Sequence, residues 1–218
     1  MKPWETRQPV SFWHPPKTAG ASIFINLIMA SKHHNRLWWY RQVDKRIIKG
    51  KDYDPGLIPL AEAEASWIKH LPVQKTTLDP ATPSILSVRD PYPRCVSMWS
   101  YYKKHMYKRI NAGENPKEPV KTFSSWMDSA IYKSKTWQVW RPCAYWRHHL
   151  TGHVDIIRYE SLKEDFKRIT GHDWVEVSKN PTQRWDRERA LEVMTDDDIK
   201  KINGWFNEDF EMFGYEKV

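Results

Sequence analysis

Cysteine is scarce: only Cys95 and Cys143 occur in 218 residues, too few for the disulfide framework that staples small secreted domains. The pair fits a reducing compartment, or thiols with no chemical role. Glycine is also scarce, 8 against 15 proline, and neither recurs at a fixed period, which excludes a fibrous repeat. No run approaches the roughly 20 apolar residues that span a bilayer, and the best, Ser22 to Ala30, is interrupted by Asn26. The N-terminus Met1-Lys-Pro-Trp-Glu-Thr-Arg7 lacks the apolar stretch of a secretory signal, so a soluble, cytoplasmic protein is expected.

What is present narrows the classes further. Charged residues at 28% with 40% hydrophobic exclude wholesale disorder, and the length predicts one sizeable domain over residues 1–218. Lys and Arg exceed Asp and Glu by 35 to 27, a net +8, which points to an anionic partner. The 13 Trp, 10 Tyr and 7 Phe exceed what a core of this size requires.

Turn signals are spread evenly and there is no internal repeat. Val10 to His14 alternates like a strand and breaks at Pro15-Pro16, and from Ser22 the residues Ile23, Phe24, Leu27 and Ile28 recur at helical spacing. Ser84 to Val88 reads as a short buried strand, followed by a turn at Arg89-Asp-Pro and a long helix from about Pro93 toward Arg109. Val154 to Tyr159 forms a third strand, with a helix from about Ser161 to Ile169 that Gly171 can stop. Helices are also predicted over Leu60 to Leu71, Phe123 to Tyr132 and Trp137 to His148, and one from an N-cap at Thr195 through about Phe210. Asn111 to Lys121 reads as a surface loop. Strands alternating with helices predict an α/β fold, a single P-loop-like domain with a central parallel sheet flanked by helices.

Two strand-to-helix loops carry the chemistry. In loop one, His14-Pro-Pro-Lys-Thr-Ala-Gly-Ala-Ser22, backbone N–H groups and the positive end of a helix converge, which makes an anion site with Lys17, Thr18 and Ser22 as further donors. A nucleotide-hydrolase P-loop needs its lysine after the second glycine; here Lys17 precedes Gly20. The plain alternative is an ordinary turn with a solvated lysine. In loop two, Val88-Arg-Asp-Pro-Tyr-Pro-Arg-Cys-Val-Ser97, Arg89 stands at the carboxyl end of a strand, where open α/β sheets place ligands. Its guanidinium fork and the Ser97 hydroxyl suit a phosphate monoester. The alternative is a structural ion pair of Arg89 with Asp90 or a helix carboxylate.

Taken together, Pro16-Lys-Thr-Ala-Gly-Ala-Ser22 resembles the 5′-phosphosulfate loop of sulfotransferases, and Arg89-Asp-Pro-Tyr-Pro-Arg-Cys-Val-Ser97 their 3′-phosphate motif. Ile157 to Phe166 and Phe206 to Tyr215 resemble later family segments, so the likeness covers nearly the whole chain. It leans toward the carbohydrate, Golgi-type branch and its soluble bacterial or viral relatives. The resemblance implies a donor, 3′-phosphoadenosine 5′-phosphosulfate (PAPS), with the bisphosphate nucleotide PAP as product and no metal. Carried over by residue, Pro16, Lys17, Thr18, Ala19, Gly20, Ala21 and Ser22 would cradle the 5′-phosphosulfate. Arg89 and Ser97 would hold the 3′-phosphate, while Arg94 would pair with a neighbouring carboxylate. Lys179 to Arg184 loosely resembles a loop that closes over the nucleotide.

Lys17 is expected to stabilise charge on the leaving phosphate, and His70 to deprotonate the acceptor, because histidine as a residue type ordinarily titrates near neutrality and the resemblance implies a catalytic histidine in the stretch before the Arg89-Asp-Pro strand, with Glu62 and Glu64 as competing bases. The acceptor would be a glycan or a small hydroxylated molecule, with no nucleic acid and no membrane as partner. His148, His149 and His153 lack metal-ligand spacing and read as solvated surface. A catalytically inactive nucleotide-binding relative is the main competitor. A P-loop kinase would need Walker spacing and a Mg²⁺ site, and a basic nucleic-acid binder would leave both loops unexplained.

Overall fold

The computed structural model describes residues 10–34, 39–40, 81, 83–114, 122–134, 141–176 and 185–218. These fall into two compact units, 1–88 with 145–179, and 89–144 with 180–218.

The first unit holds a parallel sheet of four strands, β1 (Val10–Trp13), β2 (Trp39–Tyr40), β3 (Ser84–Val88) and β4 (Val154–Arg158), in the order β2-β1-β3-β4. Register is set by pairs such as Phe12 with Ile85 and Ser87 with Ile157. Among the described residues, helices α1 (Gly20–His34) and α5 (Leu162–Thr170) accompany it. Ile23, Leu27 and Ala30 recur at helical spacing on α1 and meet Ile85 of β3, Ile157 of β4, and Phe166 and Ile169 of α5 in one buried cluster. Each of the Ile, Leu and Phe side chains, fully buried, contributes roughly 1.5–3 kcal/mol. The alternate residues Trp13, Leu86 and Val88 are buried as well, so the sheet is apolar on both faces, as parallel sheets require. The expectation of an α/β fold with a parallel sheet is met. The two-residue strand β2 gave no periodic signal, being too short to show one.

Asn26, which interrupts the apolar run, is only 2% exposed. Its side chain makes a two-way clasp on Val175, donating to the carbonyl at 3.0 Å and accepting from the N–H at 2.8 Å. The polar break therefore ties the segment after α5 to α1. Helix α5 stops at Gly171, which takes the left-handed conformation at φ 77°, as predicted.

The second unit is helical: α2 (Pro91–Asn111), α3 (Phe123–Ser134), α6 (Arg187–Leu191), α7 (Asp196–Trp205) and α8 (Asn207–Phe213). The short helix α4 (Cys143–His148) begins in this unit. Helix α2 starts two residues earlier than its periodicity suggests: the Asp90 carboxylate accepts from Tyr92 N–H, and Pro91 occupies the first turn, where no N–H is needed. The core joins Tyr92, Val96 and Met98 of α2 to Trp126 and Met127 of α3 and to Ile202, Phe206 and Phe210. Thr195 and Asp198 form a capping box at the start of α7. The single helix expected through Phe210 is interrupted at Phe206, whose φ of −106° leaves the helical region. The expected helix over Leu60 to Leu71 lies outside the described residues, as do the first part of Trp137 to His148 and most of the Asn111 to Lys121 loop.

Candidate functional site

Loop one leaves β1 at Trp13 and enters α1 at Gly20. Two non-glycine residues, Lys17 at φ 68° and Ala19 at φ 62°, take the left-handed conformation, which costs an L-residue about 1–2 kcal/mol each. Such strain persists only where the surroundings over-determine it, and it concentrates at ligand-binding turns. Left-handed residues interleaved in a loop that runs into a helix N-terminus have the backbone geometry of an anion-binding concavity. The first intrahelical bond runs from Ile23 N–H to Ala19 C=O at 3.1 Å, so the N–H groups of Gly20, Ala21 and Ser22 precede the helix ladder. The first turn of α1 carries no acidic residue, which leaves the positive helix end uncancelled.

Thr18, between the two strained residues, is completely buried. Its hydroxyl donates to Pro15 C=O at 2.7 Å and lies 2.7 Å from the Ser87 hydroxyl. A hydroxyl has one proton, so Ser87 is the donor of that second bond. Thr18 therefore has no side-chain proton for an anion. Only its main-chain N–H can serve, which narrows the sequence-based role. The two buried bonds contribute about 0.5–1.5 kcal/mol each, enough to offset much of the strain on either side.

Gly20 is required by a protein neighbour. A Cβ there would lie 2.2 Å from Nδ1 and 2.7 Å from Cβ of His14. His14 itself stacks on Phe12 with ring centroids 5.4 Å apart, so it packs locally, as its position in the loop suggests.

In loop two, Arg89 follows the last residue of β3 and is only 4% exposed. One guanidinium nitrogen donates to Trp185 C=O at 2.6 Å, and the Trp185 indole donates to Ser100 at 3.1 Å. Asp90 is bridged by Arg187 at 2.7 Å, and that guanidinium also lies over the Tyr92 ring, 4.9 Å from its centroid. Ser97 is buried on α2. Arg94 behaves as expected: fully buried, it faces the Asp209 carboxylate at 3.6 Å and donates to Arg141 C=O at 2.9 Å. Asp209 in turn accepts from the N–H groups of Cys143 and Ala144 at 2.8 and 2.7 Å, capping α4. Burial pushes Asp209 above the usual carboxylate range, against the pull of Arg94 and of those two N–H groups.

The two thiols are inert. Burial pushes Cys95 up to about 12, against the pull of Arg94, and raises Cys143 too, so neither supplies a thiolate near neutral pH. His149 bonds Tyr145 C=O at 2.7 Å and His153 bonds Asp155 at 2.7 Å. Among the described residues no group of His, Cys, Asp and Glu is arranged to hold a metal, and no helix is long and apolar enough to cross a membrane. The candidate bases His70, Glu62 and Glu64 lie outside the described residues, as does Lys179 to Arg184.

Ser87 and Trp185 were missed by sequence reasoning. Ser87 had a signal, a hydroxyl on a strand whose five residues are all buried; Trp185 had none, because its contribution is a main-chain carbonyl.

The first unit thus carries a parallel sheet whose first strand runs through a strained loop into a helix N-terminus, and the second begins with a buried arginine. The sulfotransferase family model matches residues 5–216, and the chain belongs to that family, whose chemistry is sulfuryl transfer. No curated protein and no solved structure matches it.

Proposed function

We propose that the chain transfers a sulfuryl group from PAPS to an acceptor hydroxyl or amine on a carbohydrate or small hydroxylated molecule, the whole of residues 1–218 acting as one catalytic domain. The observation that carries this reading is the backbone of loop one: Lys17 and Ala19 held left-handed on the way into a helix end without acidic residues. Strain of that kind at non-glycine positions is maintained where the backbone must present N–H groups to an anion.

In this reading Pro16 to Ser22 form the cradle of the 5′-phosphosulfate, with main-chain N–H groups donated by Lys17 to Ser22, since proline has none; Lys17 adds its ammonium, and Arg89 and Ser97 hold the 3′-phosphate. Transfer is an in-line displacement. The acceptor oxygen or nitrogen forms a bond to sulfur, the bond from sulfur to the 5′-phosphate oxygen breaks, and the acceptor proton passes to His70, or to Glu62 or Glu64. The negative charge that develops on the leaving phosphate is met by Lys17 and the loop N–H groups, so stabilisation is preorganised where charge appears. The step balances with PAP and the sulfated acceptor as products and requires no metal.

Titration calorimetry with PAP, which carries both phosphates and no sulfonate, tests the assignment. Lys17→Ala and Arg89→Ala are each expected to weaken binding about 10- to 100-fold, the loss of a charge-assisted contact. Unchanged affinity in both variants would rule out the site.

A further inference from the structure

We propose that Ser87 is a positioning residue for the donor's 5′ end: it touches no substrate, and it holds loop one in its binding conformation through the Thr18 hydroxyl. The proposal rests on the reading of loop one as the 5′-phosphosulfate cradle.

Three observations combine. Lys17 and Ala19 are both left-handed without being glycine, so the loop backbone relaxes to another shape unless it is held. Thr18, the residue between them, is fully buried, and its side chain is the loop's anchor. The anchor has two ends. The Thr18 proton goes to Pro15 C=O, within the loop itself, and the Ser87 proton comes from β3, outside the loop. Of these two bonds the second ties the loop to a rigid element, because Ser87 is a fully buried residue of the inner strand β3, paired in register with Ile157 of β4.

The Pro15 bond closes a four-residue turn, Pro15 to Thr18, and would survive if that turn drifted as a unit. The Ser87 bond spans 69 positions of sequence and fixes where the turn sits on the sheet. Removing the Ser87 hydroxyl leaves the Thr18 oxygen buried without that donor and releases the strained N–H groups from their orientation. The ligand group affected is the one those N–H groups address, the 5′-phosphate, while Arg89 and Ser97 stand on a different segment. Ser87 is thus coupled to one end of the nucleotide. A residue that merely supports the core would affect both ends alike.

The test compares two nucleotides, PAP and adenosine 3′-phosphate, which lacks the 5′ group. Wild-type protein, Ser87→Ala, Ser87→Thr and Thr18→Val are titrated with each. The expected result is that Ser87→Ala and Thr18→Val lose about tenfold in PAP affinity, keep their affinity for adenosine 3′-phosphate, and raise the KM for PAPS more than they lower kcat. Ser87→Thr, which restores a hydroxyl on a β-branched strand residue, is expected to recover PAP binding. Equal loss for both nucleotides, or unchanged PAP affinity in Ser87→Ala and Thr18→Val, would overturn the proposal. So would failure of both variants to fold, because the hydroxyl pair would then be a core contact. The parent reading has its own readout: if wild-type protein binds PAP no more tightly than adenosine 3′-phosphate, loop one is not a 5′-phosphate site, whatever the variants do.

Discussion

Gly20 shows how closely loop one is built. The ring atoms of His14 occupy the space a Cβ would need, with Nδ1 at 2.2 Å, so Gly20→Ala must displace either the imidazole or the start of α1. We expect Gly20→Ala to lose PAP binding and to lower the thermal midpoint by several degrees, the effect of roughly 1–3 kcal/mol of overpacking. Adding His14→Ala to Gly20→Ala removes the ring atoms at 2.2 and 2.3 Å but leaves the Cβ contact at 2.7 Å, so differential scanning fluorimetry should record partial recovery. At this scale the sequence revealed residue types better than their tasks. Lys17, Gly20 and Arg89 stand out by pattern, but the packing of His14 where a Cβ of residue 20 would lie does not, nor does the commitment of the Thr18 hydroxyl to Pro15 and Ser87. Periodicity cannot report a bond between residues 69 apart.

Among the elements, α5 and β4 depend on Asp165. Its carboxylate accepts from Arg158 N–H and the Ser161 hydroxyl, both at 2.9 Å, and from Arg168 at 2.9 Å. Burial works to raise its pKa, but these donors outweigh burial and hold it below the usual value. Because the folded-state pKa is depressed, the contribution is complete above the unfolded carboxylate value of about 3.9 and fades as pH falls through the lower folded value. Asp165→Asn is expected to cost about 1.5–3 kcal/mol at pH 7. The difference from wild type in urea unfolding should shrink below about pH 4; a pH-independent difference would contradict the assignment. The Arg94–Asp209 pair poses a separate test. Asp209→Ala strands a buried guanidinium and strips the cap from α4, and should cost about 3–5 kcal/mol, measured by chemical denaturation. The family-like segments Ile157 to Phe166 and Phe206 to Tyr215 gain a physical basis here, since each contains one of these carboxylates. Helix boundaries were legible at Thr195 and Gly171, whose residue types signal them, but the Asp90 cap of α2 and the Asp186 cap of α6 were not read. The break at Phe206 was not legible, because no glycine or proline marks it.

Across the whole molecule, the tryptophans are now partly explained. Of the 13, seven have described side chains, and Trp13, Trp99, Trp126 and Trp146 among these are at most 9% exposed. Their task is packing, as with Trp99 edge-on to Phe123 at 5.7 Å. The side chains of Trp38, Trp39, Trp137 and Trp140 lie outside the described residues. Strands β1, β3 and β4 and the helices after them were readable because each of these strands is short and followed by a helix signal, which β2 lacks. The acceptor site was not, since it depends on loops whose residues carry no periodic pattern. The central claim, sulfuryl transfer from PAPS, is tested most directly by incubating the protein with ³⁵S-labelled PAPS and a panel of glycans, phenols and amines, and measuring PAP release together with labelled product. The account predicts acceptor-dependent PAP release that falls at least tenfold in Lys17→Ala and in His70→Ala. Absence of release with every acceptor, from protein that still binds PAP, would contradict it and identify a nucleotide-binding protein without transferase activity.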